Sequence, residues 1–261
     1  VSVSPSISVI MPAFNRAAFV GEAIGSLQGQ IGADGEIVVV DDGSTDATAD
    51  IVEAIGDSDK RVRLVRQPHG GVARARNSGI EAARGRLLTF LDSDDICAPG
   101  RIPRQIAKLE ARPDITAVVG ELILFERMGP DFRPAEGSRW ERVMGISLTT
   151  AVFRGEAFRA IGPVNEGLGQ GEDLDIYLRL FEAGARFLVE VEPAVYYRRH
   201  GANLTNDEAA MRQDVMRAHV ASRMRQRRSG RAPIIDTFFF KQFDAETEFA
   251  WPASAPATSH G

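Results

Sequence analysis

Three acidic side chains crowd into the four positions Asp92-Ser93-Asp94-Asp95, directly after the apolar run Leu87-Leu-Thr-Phe-Leu91. Like charges that close repel unless a cation or a set of donors offsets them. Carboxylate oxygens suit Mg²⁺ or Mn²⁺, and Mg²⁺ commonly combines one or two protein carboxylates with phosphate oxygens and water. Taken alone, the tetrapeptide fits a helix cap as well as a cation site. A second acidic strand end, Asp41-Asp42-Gly43-Ser44-Thr45-Asp46, follows Val38-Val-Val40. Carboxylates there would repel a phosphate, but they can accept hydrogen bonds from a nucleobase N–H or from ribose hydroxyls. Ser44 or Thr45 would equally serve as a helix N-cap. Farther along, Glu172-Asp173-Leu174-Asp175 brings acids to the start of a helix, where capping alone could account for them.

Such groups work together only if a scaffold gathers them on one edge. Ile7 to Met11, Glu36 to Val40, Val62 to Val65 and Leu87 to Leu91 read as strands, and Glu36 to Val40, β-branched and almost wholly apolar, as one covered on both faces of a parallel sheet. Helical spacing appears between them, at Val20, Ile24 and Leu27, at Ile51, Val52 and Ile55, and over Val72 to Ala83. Strand–helix alternation of this kind predicts a Rossmann-like α/β fold, a doubly wound, mainly parallel sheet with helices on both faces. Ligands bind such sheets beyond the carboxyl ends of the strands. Pro12 to Arg16, Asp41 to Thr45, Gln67 to Gly71 and Asp92 to Asp95 all follow strands and would converge there.

Regularity weakens after Arg112. Ala117 to Phe125 and Ser147 to Phe153 read as strands, with a loop or insertion over Glu126 to Gly145 between them. Leu174 to Ala183 reads as a helix, Arg186 to Val191 and Ala194 to Arg199 as two strands, and Asp207 to Arg228 as a long Arg-rich helix. Trp251 to Gly261, rich in Pro, Ala and Ser, reads as a disordered tail.

Bulk properties narrow the function. The 261 residues suit one large domain with an extension. A net charge of −5 argues against nucleic-acid binding. The sequence has no apolar run of spanning length and no export signal, so a cytoplasmic location is expected. Cys97, the single cysteine, excludes an internal disulfide and reads as a packed thiol. Only Lys60, Lys108 and Lys241 of the 31 basic residues are lysines; the arginine forks suit phosphate or carboxylate, although genome composition gives the same bias.

Pro12-Ala13-Phe14-Asn15, Val40-Asp-Asp-Gly-Ser-Thr-Asp46, Gly70-Gly-Val-Ala-Arg-Ala-Arg-Asn77 and Phe90-Leu-Asp-Ser-Asp-Asp95, in this order and spacing, resemble the inverting glycosyltransferases of family two, which adopt the GT-A fold. The resemblance covers roughly Ile7 to Asn203. It implies a GT-A domain over 1–205, with a donor half to about 112 and an acceptor half from 113, followed by an Arg-rich helical and aromatic extension over 206–250 and the tail 251–261. Pro12, Ala13, Phe14, Asn15, Arg16, Asp41 and Asp42 would line the nucleoside pocket. Which aspartate of that pair reads the base stays open. Arg74, Arg76 and Asn77 would border the diphosphate or brace the aspartate loop. Asp92, with Ser93 beside it, would face the nucleotide at its ribose, and Asp94 would ligate the divalent cation, Mg²⁺ or Mn²⁺. The position matching the family's base is Asp173. His200, in Tyr196-Tyr-Arg-Arg-His-Gly-Ala-Asn-Leu-Thr205, would approach the metal or diphosphate. The implied donor is a nucleoside diphosphate sugar, with UDP favoured, and the acceptor a saccharide or lipid-linked molecule of bacterial surface polysaccharide or glycolipid synthesis.

Two rivals share the sheet and its acids. A sugar-phosphate nucleotidyltransferase would carry an early glycine- and arginine-rich triphosphate loop, whereas Pro12 to Arg16 has no glycine; a catalytically silent nucleotide-binding module is the other. Gly167-Leu-Gly-Gln-Gly171 does not follow an early strand as a dinucleotide loop would, and no phosphate loop ends in Gly-Lys-Ser or Gly-Lys-Thr. Trp140 offers a flat platform for an acceptor sugar or a buried anchor for its loop. The Arg-rich stretch over 207–240, closing on Phe238-Phe-Phe240, suits peripheral contact with the inner face of an anionic membrane, a homodimer contact, or a solvated helix packed back on the core.

Overall fold

The computed structural model describes residues 5–129, 132–143, 147–201, 203, 207–229 and 245–250. Alternate side chains of β1 (Ile7–Ala13) part to opposite faces of the sheet. Val9 and Met11 pack with Val20 and Ile24 of α1 (Val20–Gln28), Val52 of α2 (Thr48–Ser58), and Ile102 and Leu109 of α4 (Arg101–Ala111). Ile10 turns the other way, toward Ala73 of α3 (Val72–Ala82), Phe158 of α5 (Gly155–Ala160), Ile176 and Phe181 of α6 (Glu172–Glu182) and Ala218 of α7 (Glu208–Ser229). Helices therefore cover both faces, which is why the central strands are apolar throughout rather than alternating.

β3 (Val62–Arg66), β2 (Glu36–Asp41), β1 and β4 (Leu87–Phe90) lie side by side and all parallel. β8 (Ala151–Arg154) is antiparallel both to β4 and to β6 (Ala117–Phe125), and β9 (Arg186–Arg198) is parallel to β6. β6 and β9 thus run in the same direction as β1. The carboxyl ends of β1, β2, β3, β4, β6 and β9 share one edge, and the loops Pro12 to Arg16, Asp41 to Thr45, Gln67 to Gly71 and Asp92 to Asp95 leave from it.

Four local readings are corrected. The loop expected over Glu126 to Gly145 contains a strand, β7 (Trp140–Val143), which pairs antiparallel with the end of β6 and is held by an Arg142–Glu121 ion pair. Four mostly exposed residues carry no burial period, so the sequence gives no signal for it. The two strands expected over 186–199 are one, β9; Pro193, which breaks the pattern, sits where the β6–β9 register shifts and no ladder N–H is needed. Ser147 begins a 3₁₀ turn over Leu148–Thr150, accepting from the Thr149 N–H, before β8 starts. Finally, the capping alternatives fail. Gly100 precedes α4, Gly171 precedes α6, and Ala47 precedes α2, none with a side-chain cap.

The tail 251–261 and the aromatic segment Ile234 to Phe240 lie outside the described residues. No described helix is long and apolar enough to cross a membrane.

Candidate active site

Asp41 and Asp42 stand at the end of β2 in different situations. Asp42 Oδ1 accepts from Gly70 N (2.9 Å) and Gln67 Nε2 (2.6 Å), while Oδ2 accepts from Gly71 N (2.8 Å) and lies 2.9 Å from His69 Nδ1. Both oxygens are thereby spent on tying the third loop to the second. Asp41 Oδ1 accepts from Ser44 N at 3.2 Å, and its side chain lines an open cleft of about 460 Å³ together with Ser44, Asp46, Arg66 and Gln67. Gly43 makes this turn possible: its φ is +78°, and a Cβ there would meet His69 N at 2.8 Å.

The first loop closes onto the second. Asn15 adopts a left-handed φ of 52°, tolerable for asparagine, with its N–H given to Ser44 Oγ and its Oδ1 accepting from Thr45 N. Ser44 therefore joins two loops rather than capping α2; Asp46 takes the Thr48 N–H instead. Pro12 and Ala13 are buried members of β1, whereas Phe14 is exposed, its ring stacked on His69 at 4.1 Å.

The aspartate loop is clasped by the end of β9. Arg198 gives its N–H to Asp95 Oδ1 (2.9 Å) and its Nε to the Asp94 carbonyl (3.0 Å), with its guanidinium over the rings of Phe19 and Phe125. Burial, joined by the charges of Asp92 and Asp94, pushes the Asp95 carboxyl well above the usual range. Asp95 thus holds the loop down rather than meeting a ligand. Ser93 is buried as well. Asp94 Oδ2 lies 2.9 Å from Arg16 Nε and 3.0 Å from His200 Nε2, and His200 stacks on Phe19.

A carboxylate and an imidazole brought to one point from strand ends 106 residues apart form a donor pair that fits a divalent cation. Among the described residues no cluster of three or more His, Cys, Asp or Glu is arranged to hold a metal, so protein ligands could supply only part of a coordination shell. Partial protein ligation is what Mg²⁺-class ions accept when a diphosphate supplies the rest.

Arg76, 3% exposed, joins the two halves of the site. Its Nη1 donates to Glu172 Oε1 (2.6 Å) and Asp173 Oδ1 (2.5 Å), and its Nη2 to Asp92 Oδ1 (3.2 Å). Burial works against the guanidinium charge, but Asp173, Asp92 and Glu172 outweigh it and raise its pKa. One cation cannot neutralise three carboxylates. Burial pushes Glu172 up to about 8 in spite of Arg76, and its Oε2 has no hydrogen-bond partner among the described residues. Asp92 also rises through burial, with Arg76 opposing. Asp173 is placed differently: its Oδ2 accepts from Leu148 N (2.9 Å), and its side chain is 18% exposed toward the edge.

Of the remaining sequence-derived residues, Arg74 is exposed at the start of α3. Asn77 faces away from the aspartates, pairing with the Val164 backbone and Glu166. Sequence reasoning assigned no part to Glu172 as an Arg76 partner, to Arg198 or Phe19, or to Asp214, whose Oδ2 receives the Gly169 and Gln170 N–H groups just ahead of Asp173. A lone aspartate within an arginine-rich helix was the available signal for the last.

The family model for glycosyl transferase family 2 matches residues 8–161, and the chain belongs to that family. The succinoglycan biosynthesis protein ExoO of Rhizobium meliloti is 33% identical over 219 residues, which cover 76% of this chain and 62% of the relative. Of two other curated relatives the matched segment spans 41% and 31%, so the match covers less than half of either. Among solved structures, S. aureus TarS residues 1–349 with UDP-GlcNAc superposes with a TM-score of 0.63 at 21% identity, covering 82% of this chain and 66% of that one. The mannosyltransferase PcManGT of Pyrobaculum calidifontis with GDP-Man and Mn²⁺ gives 0.65 at 20%, covering 85% and 65%. The fold is that of the GT-A glycosyltransferases.

Proposed function

We propose that this chain is an inverting, metal-dependent glycosyltransferase that moves a sugar from a nucleoside diphosphate sugar, with UDP as nucleotide, to a saccharide or lipid-linked acceptor in bacterial surface polysaccharide or glycolipid synthesis. One observation carries the reading: Arg76 couples the donor-side Asp92 to Asp173, on the same edge where Asp94 meets His200. The named complexes of TarS with UDP-GlcNAc and of PcManGT with GDP-Man and Mn²⁺ support the donor class and the cation.

In this reading Asp41 accepts from the base N–H, because Asp42 has no oxygen to spare, and the exposed Phe14 ring covers the base. Asp94 and His200 would hold the divalent ion, which would offset charge on the departing diphosphate. Arg16 adds a guanidinium beside them. Asp173 takes the proton from the acceptor hydroxyl as its oxygen attacks the anomeric carbon opposite the nucleotide. Arg76 and the Leu148 N–H fix its aim, leaving lone pairs on both oxygens for that proton. Trp140, 61% exposed and paired with Phe125 at the end of β6, offers a flat apolar face to an acceptor ring.

A thermal-shift panel tests the donor assignment. A ligand at 100 times its Kd stabilises the native state by about 2.7 kcal/mol, a rise of roughly 5–10 °C for a chain of this size. UDP and UDP-sugars with Mn²⁺ should give that rise, other nucleoside diphosphates less, and Asp41→Ala should lose the preference for uridine. A response to nucleoside triphosphates alone would instead support a sugar-phosphate nucleotidyltransferase.

A further inference from the structure

We propose that the outward face of α7 is a docking surface for an anionic lipid bilayer. The proposal does not depend on the catalytic reading.

The inner face of α7 is firmly bound. Asp214, Ala218, Ser222 and Gln226 are buried at helical spacing. Ser222 Oγ donates to Glu182, Arg225 pairs with both Glu182 and Asp175, and Asp214 holds the loop at Gly169 and Gln170. Gly171 has no room for a side chain, since a Cβ there would stand 2.7 Å from the Asp214 backbone. The helix is therefore a fixed part of the acceptor half, and its opposite face is set by this docking.

That opposite face is apolar along its middle and basic along both margins. Met216, Val220 and Met224 are 63%, 47% and 57% exposed and four residues apart, forming one continuous row. At about 100° per residue, Arg223 and Arg227 lie along one side of the row and Arg217, which also pairs with Asp214, along the other, while Arg212 and Arg228 continue the row at its two ends. Beyond its first residue, Glu208, the helix has a single acid, Asp214, and that one is turned inward. Water solvates the arginines well but gains nothing from three exposed apolar side chains in line.

Charge decides among occupants. A second copy meeting this face about a two-fold axis would set the arginine margins against their own likeness. A nucleic acid would satisfy the arginines but leave the Met–Val–Met row in water. A bilayer with anionic headgroups satisfies both: the row enters the headgroup–acyl boundary while the arginine stems reach back to the phosphates.

Cosedimentation of the full chain with vesicles tests this directly. Binding is expected to vesicles of phosphatidylglycerol with phosphatidylcholine, not to phosphatidylcholine alone, and should weaken as salt is raised. Arg223→Glu with Arg227→Glu, and separately Met216→Ser with Met224→Ser, should each lower partitioning at least about tenfold. Met216→Leu with Met224→Leu should retain it. Circular dichroism and the nucleotide thermal shift should not change in any of them, because these side chains point away from the core and the site. Equal binding to neutral vesicles, no binding to either, or parental binding by the substituted chains would overturn the proposal. So would self-association in ultracentrifugation, or RNA binding, that the same substitutions abolish in place of vesicle binding.

Discussion

Asp173→Asn should lower sugar transfer by roughly 10²- to 10⁴-fold while leaving UDP affinity unchanged and the chain folded. Asparagine keeps the shape of the side chain but only one acceptor. With its oxygen on the Leu148 N–H the turn ahead of β8 stays anchored, while its NH₂ replaces the acceptor of Arg76 Nη1 and some stability is lost there. The amide cannot take a proton from an acceptor hydroxyl. It also removes one of three carboxylates crowded onto Arg76, so the cluster is relieved of excess negative charge rather than left with an unpaired cation. The check is release of nucleotide from a UDP-sugar in the presence of Mn²⁺, followed for the parent and the variant side by side. Parental turnover by Asp173→Asn would remove the residue from the base role.

Arg76→Met should destabilise the fold more than any other substitution at the edge. Removing the buried guanidinium leaves buried Glu172 and the part-exposed Asp92 and Asp173 with no cation between them, and breaking a buried ion pair from one side typically costs about 3–5 kcal/mol. For a chain of this length that corresponds to a fall of roughly 6–20 °C in Tm. Arg76→Lys should fall between, since one ammonium cannot reach three carboxylates with the geometry of a planar fork.

The same cluster gives stability a pH dependence of known sign. Glu172 has a folded-state pKa of about 8, above its ordinary 4.5, so the native state holds the proton more tightly than the unfolded chain does. The resulting stabilisation is complete below the unfolded value and is lost as pH rises toward 8. Glu172→Gln mimics the protonated form at every pH, and denaturation midpoints measured from pH 5 to 8 should flatten in that variant. An unchanged slope would mean that another group titrates.

The donor half was largely legible in the sequence because β1, β2 and β4 are buried on both faces and their ends carry unusual polar groups. Continuous β-branched runs such as Ile37 to Val40 fix the sheet, and the acids that follow fix its edge. Relations between loops were harder to see. Nothing in Asp41-Asp42 shows that three backbone and side-chain donors from Gln67 to Gly71 converge on the second carboxylate and free the first. Arg76 sits 97 residues from Asp173, and a spacing that long carries no local signal. The acceptor half also blurs local rules. Pro193 lies inside a strand because a bulge spares it a ladder bond, and β7 has no alternating pattern because neither of its faces is buried. Only the fold shows Asp214 accepting from the loop before Asp173.

The central claim is that Asp94 and His200 hold a divalent ion against the nucleotide diphosphate, and calorimetric titration of UDP with and without Mn²⁺ tests it most directly. The parent should bind UDP at least about tenfold more tightly with Mn²⁺, a difference of about 1.4 kcal/mol, and Asp94→Asn should bind with the weaker affinity whether or not Mn²⁺ is present. Equal enhancement by Mn²⁺ in the parent and in Asp94→Asn would contradict the account.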